Sequence, residues 1–137
     1  MFKDFDISSF KKQKPPSNNS FQTTQEVKEL KSIPLRKDFV KKYDNIESAF
    51  AKTASDNNIE DYDKSIAKDL IKHSAPVILK LKKHFDRPRP KVSAKKMNIK
   101  MDDYEMDSMK TPSYPSGHSV QGVLIGNVLA KKYPKAS

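Results

Sequence analysis

The sequence predicts an all-α fold, and three observations carry that prediction. Apolar residues recur at spacings of three and four along most of the chain, no segment alternates as a half-buried strand does, and the breaks between periodic segments have the residues of helix ends. The 137 residues allow one domain at most. Hydrophobic content of 35% beside 32% charged residues is polar for a globular domain, but the apolar residues cluster, so a core is expected.

Residues 1–25 contain Lys-Lys-Gln-Lys-Pro-Pro-Ser-Asn-Asn-Ser and read as a flexible N-terminal arm, with Phe2, Phe5, Ile7 and Phe10 available as a small anchor. The helical domain is expected over 26–137. A short helix over Gln25–Ser32 is ended by Pro34. Arg36–Ala54 then places Phe39, Tyr43, Ile46, Phe50 and Ala54 on one helical face, with a break expected near Asp44-Asn45. After a turn at Asp56-Asn57-Asn58, a second face runs from Ile59 through Tyr62, Ile66 and Leu70 to His73.

Pro76 interrupts that face, and Ser74 with Pro76 predicts a restart: a capping hydroxyl followed by proline in the first turn. The third helix carries Val77, Ile78, Leu81 and Phe85 and is stopped by Pro88 and Pro90. Residues 91–114 read as a long loop holding four of the five methionines and the acidic residues Asp102, Asp103, Glu105 and Asp107. That acidic run lacks the glycine a calcium loop needs, so it reads as solvated. The last helix spans Gly117–Lys132 before Pro134, with apolar residues on more than one side. Its Gly122 and Gly126, one turn apart, predict close approach of a neighbouring helix.

The net charge of +10 comes from 24 lysines and 3 arginines against 17 acidic residues. The lysines run from Lys3 to Lys135 without a dense tract interleaved with aromatics, so solvated helix faces are favoured over a nucleic-acid surface. With no cysteine, disulfides and thiolate metal sites are excluded. The three histidines, His73, His84 and His118, lack zinc-site spacing. The charged N-terminus has no apolar signal region and no apolar run is long enough to span a membrane, so a cytoplasmic or otherwise soluble protein is expected.

Two short stretches carry chemistry. Pro115-Ser116-Gly117-His118 stands where the last helix opens. A helix start offers bare backbone N–H groups to an anion, and a histidine on the first turn can pass a proton to it. Residues 80–90 read Lys-Leu-Lys-Lys-His-Phe-Asp-Arg-Pro-Arg-Pro, with a lysine seven residues before an Arg-Pro twice over: Lys80 with Arg87, and Lys82 with Arg89. Seven residues is about two helical turns, so each pair projects to one side, where an ammonium and a forked guanidinium suit a phosphate.

In this order, the two stretches resemble the type 2 phosphatidic acid phosphatase superfamily, whose pattern is Lys-x6-Arg-Pro, then Pro-Ser-Gly-His, then Ser-Arg-x5-His-x3-Asp. The likeness is nearest to the class A bacterial non-specific acid phosphatases. It covers roughly residues 35–135, including Ser-Tyr-Pro-Ser-Gly-His at Ser113–His118 and the 25-residue gap between Arg89 and Pro115. The extra arginine two before the motif arginine, as in Arg87-Pro88-Arg89-Pro90, favours the Lys82/Arg89 register.

The resemblance implies a helical bundle of the acid phosphatase and vanadium haloperoxidase type that hydrolyses phosphomonoesters through a phosphohistidine. Lys82, Arg89, Ser116 and Gly117 would hold the phosphate of a small-molecule substrate, and His118 would be the general acid. Arg87 would support the phosphate or cap its helix, while His73 and His84 would be packing or surface residues. The hydrolase needs no cofactor; vanadate enters as a phosphate mimic or in the haloperoxidase alternative. A basic phosphate- or nucleic-acid-binding module is the non-catalytic alternative.

The third motif, with its nucleophilic histidine, does not occur in the 137 residues. The chain alone is therefore expected to be inactive. A bundle incomplete at its C-terminus, a second chain supplying the motif, and a decayed relative are the explanations, and truncation is favoured.

Overall fold

The computed structural model describes residues 1–102 and 104–136, and within them the chain is all-helical. Six α-helices follow one another: α1 Phe21–Ser32, α2 Lys37–Tyr43, α3 Ile46–Asp56, α4 Lys64–Phe85, α5 Pro90–Lys96 and α6 Gly117–Lys132. Short 3₁₀ turns lie at Phe10–Lys12, Asp107–Lys110 and Pro134–Ala136. No helix among the described residues is long and apolar enough to cross a membrane.

Local chemistry accounts for where each helix starts. Ser20 accepts from the Thr23 amide at 3.2 Å, so α1 begins at Phe21, ahead of the expected Gln25. The break expected near Asp44-Asn45 is present: Asn45 caps α3 by accepting from Ser48 N at 2.9 Å.

The restart expected at Ser74-Pro76 is absent, and α4 runs unbroken for 22 residues. Asp63 starts it, accepting from the backbone and hydroxyl of Ser65 at 2.9 and 2.6 Å, so the helix begins at Lys64 rather than Ile59. Pro76 and Lys72 are both exposed, so the Lys72 carbonyl left without its helical donor faces water, and the helix continues. The segment expected as loop from residue 91 opens with α5. Pro90 occupies its first turn, where a missing N–H costs nothing.

The core lies where α4 and α6 pack along each other with α3 across them. Ala67 and Leu70 from α4 meet Ile125 and Leu129 from α6, with Tyr133 just beyond, and Phe50 of α3 closes one side. Ile125 and Ala67 are wholly buried. Removing an isoleucine side chain from water contributes roughly 2–3 kcal/mol. Tyr133 also ties the end of α6 to the entry of α4: its hydroxyl accepts from Asp63 N and donates to Asp61 O, each at 3.0 Å.

Of the two glycines, only Gly126 faces a neighbour, the Phe50 ring at 4.0 Å; space beside Gly122 is open. Val120 and Val123 on α6 are exposed. The N-terminal residues form the anchor rather than a free arm. Phe2, Phe5 and Phe10 pack ring against ring, and Phe2 and Phe5 border a small apolar hollow with Val77, Ile78 and Leu124.

Candidate anion-binding site

The two motifs are stitched together by backbone. The last turns of α4 end at Asp86, whose left-handed conformation (φ 43°) turns the chain into Arg87-Pro88-Arg89-Pro90. Ser113, two residues before Pro115, donates from its amide to Arg87 O at 2.9 Å and from its hydroxyl to Pro88 O at 2.9 Å. Tyr114 sets its ring edge-on to Phe85, with centroids 5.0 Å apart, and the Tyr114–Pro115 peptide bond is cis. This seam carries the start of α6 up against the end of α4.

The result is a cavity of about 600 Å³ lined by Lys82, Arg89, Ser116, Gly117 and His118 together. All five residues that the sequence nominates for phosphate chemistry therefore share one wall system. Ser116 is the N-cap of α6, its hydroxyl oxygen accepting from Ser119 N at 3.2 Å. That leaves its own O–H free to donate. The amides of Gly117 and His118 come before the first possible intrahelical bond, as at every helix start.

Lys82 is a buried lysine, only 5% exposed. Its ammonium donates to the Pro112 carbonyl. Burial, and after it the nearby Arg89 charge, lower its pKa from the ordinary 10.5. Arg89 donates from Nε to Thr111 O at 2.7 Å and from Nη2 to Ser108 O at 2.9 Å, and burial lowers its pKa too. The two cations are thus held by carbonyls of the loop that passes over them. Among the described contacts no carboxylate pairs with either cation, although Asp44 and Asp107 also border the cavity.

The two lysine–arginine registers separate here. Lys80 is exposed, and Arg87 turns away to α1, pairing with Glu26 at 2.6 Å and reaching Thr23 Oγ1 at 3.4 Å. Arg87 lines a different hollow, so it neither borders the Lys82 cavity nor caps α4. His84 packs edge-on against Phe85, and His73 bonds the Asp69 carbonyl at 2.7 Å within α4. Neither borders the cavity.

His118 has a partner that the sequence reading left out. Its Nε2 lies 2.7 Å from the Asp44 carbonyl oxygen and 3.3 Å from the Asp44 carboxylate. A carbonyl only accepts, so Nε2 carries the hydrogen. Asp44 also accepts from Ser108 Oγ at 3.3 Å, linking the loop, the α2–α3 corner and the start of α6. The only sequence signal at Asp44 was a helix break. Phe39, Val40 and Tyr43 from α2, Met106, Asp107, Ser108, Met109 and Thr111 from the loop, and Pro90 and Gln121 complete the lining. Among the described residues no cluster of three or more His, Asp or Glu is arranged to hold a metal ion, and Asp103 of the acidic run lies outside them.

Comparison with protein families, with curated proteins and with solved structures finds no match to this chain.

Proposed function

We propose that the cavity binds the phosphoryl group of a phosphomonoester, and that the chain carries the phosphate-binding half of a phosphatase of the type 2 phosphatidic acid phosphatase kind. One observation carries this reading: two motifs with 25 residues between Arg89 and Pro115, each able to bind an anion, bring all five of their nominated residues to one cavity.

In this reading Lys82 and Arg89 bind the non-bridging oxygens, the one as a point charge and the other as a fork. The Ser116 hydroxyl and the Gly117 amide add neutral donors at the helix start, aimed where charge builds up during transfer. Glycine at 117 fits this role. Its φ is not left-handed, and an added Cβ would meet only Ile78 at 3.9 Å, so neither conformation nor packing demands it. A protonated His118 has two N–H donors; Asp44 takes one, leaving Nδ1–H for the leaving-group oxygen. Turnover requires a nucleophilic histidine from a Ser-Arg-x5-His-x3-Asp segment outside these 137 residues, in the same chain or a second one.

The chain as it stands is tested by binding. Inorganic phosphate followed by calorimetry should bind with an affinity that falls at least tenfold in Arg89→Gln and stays within twofold in Arg87→Gln. Equal losses in the Arg87 and Arg89 variants would mean a diffuse basic surface and end the proposal. Supplying the third motif should then give phosphate release from p-nitrophenyl phosphate that is abolished in His118→Ala.

A further inference from the structure

Residues 28–39 are exposed without interruption, the longest such run among the described residues. They take in the end of α1, the connector at 33–36 and the start of α2. Four large apolar side chains stand in water along this run: Leu30, Ile33, Leu35 and Phe39, with Ile33 63% exposed. Ile33 and Leu35 line neither the Lys82 cavity nor the hollow beside Arg87.

The same stretch is strongly basic. Between residues 28 and 42 lie Lys28, Lys31, Arg36, Lys37, Lys41 and Lys42, against Glu29 and Asp38, and all eight are exposed. Among the described contacts none of the six cations pairs with a carboxylate. Arg36 and Lys42 instead lie over the rings of Phe39 and Tyr43, 4.8 and 5.3 Å from the centroids. The positive charge here is therefore free to act outward.

A solvated helix face accounts for the cations but not for four apolar side chains held in water among them. A nucleic acid would use the cations but has no place for three aliphatic side chains, and the single ring, Phe39, already has a guanidinium over it. An anionic bilayer surface uses both. Its phosphates and negative potential attract the ammonium groups, and its headgroup–acyl boundary takes in isoleucine, leucine and phenylalanine.

We infer that residues 28–42 are a docking surface for an anionic membrane, with Ile33, Leu35 and Phe39 seated at the headgroup boundary and the lysines on the lipid phosphates. Docking of this kind lies on the bilayer and needs no spanning helix. It does not depend on the phosphate-binding reading above, and the residues changed below lie outside the Lys82 cavity.

Flotation of the intact chain with lipid vesicles at ~0.1 M salt tests it. Vesicles of phosphatidylcholine with about one-third phosphatidylglycerol should be bound at least tenfold more tightly than phosphatidylcholine alone. Ile33→Ser with Leu35→Ser should weaken binding to the anionic vesicles by roughly tenfold. Lys37→Gln with Lys41→Gln should do so by a similar factor, and raised salt should act in the same direction. All four side chains are exposed, so thermal melts of both variants should match the parent. Absence of vesicle binding would overturn the inference. So would undiminished binding by the Ile33/Leu35 variant, which would reduce the surface to general positive charge. Tighter binding to a short DNA duplex than to the vesicles, lost in the lysine variant alone, would assign the surface to nucleic acid instead.

Discussion

The two ends of α6 sit in opposite physical regimes. Toward its C-terminus, Ile125 and Leu129 pack on Ala67 and Leu70, and shape and apolar burial decide the structure. At its N-terminus, the neighbours are Lys82, Arg89, Asp44 and a loop whose carbonyls face the cations. Here the backbone is placed by charge and hydrogen bonding. One helix thus joins an apolar core to a region where a buried Lys82 and a half-buried Arg89 pay desolvation.

The comparison breaks most visibly at the core end. Ile125→Ala removes a wholly buried side chain and is expected to cost about 3 kcal/mol in urea unfolding. Its phosphate affinity, measured where the variant is still folded, should stay within twofold of the parent. A tenfold affinity loss would show that the two ends are not separable.

Lys82 sharpens the comparison through pH. Its folded pKa lies below the ordinary 10.5, so the unfolded chain binds that proton more tightly. As pH rises through the range below 10.5, the Lys82 contribution should raise stability, while phosphate affinity falls as the ammonium is lost. Lys82→Met should flatten both trends, each read as the difference from the parent in urea melts and calorimetry between pH 7 and 10. A Met variant that tracks the parent in both would assign the titration elsewhere.

The smallest effect returns to the core end. The Tyr62 hydroxyl is buried there without a hydrogen-bond partner, 6.0 Å ring to ring from Tyr133, and burial raises its pKa from the ordinary 10.0. Tyr62→Phe should therefore stabilise the fold by about 1 kcal/mol in thermal or urea melts. Destabilisation would point to a polar partner and blur the contrast with the satisfied cations at the other end.

Much of the helical layout was legible because it is written in local chemistry. Ser116 and Pro134 bound α6, and Asn45 separates α2 from α3. The errors also have local causes. Proline marks both helix stops and helix starts, so Pro90 read as an end when it opens α5, and Pro76 read as a restart when it sits inside α4. Periodicity places Phe39 and Tyr43 on one helical face with Phe50 and Ala54. The position of Phe39 and Tyr43 on the cavity follows from how α2 packs, which periodicity does not specify.

The sequence by itself determined the helical class, the helix boundaries at Asn45 and Ser116, and the pair of motifs able to hold an anion, because each depends on residues within a turn or two of one another. It could not choose between Lys80/Arg87 and Lys82/Arg89 on spacing, since both pairs are seven residues apart. Tertiary structure sets the two pairs apart, with Lys82 buried beside Arg89 on one cavity and Arg87 turned to Glu26. It also brought Asp44 to His118 across 74 positions of chain. Such contacts depend on how whole helices dock, and docking is set by the summed burial of many distant side chains, not by any local run of residues.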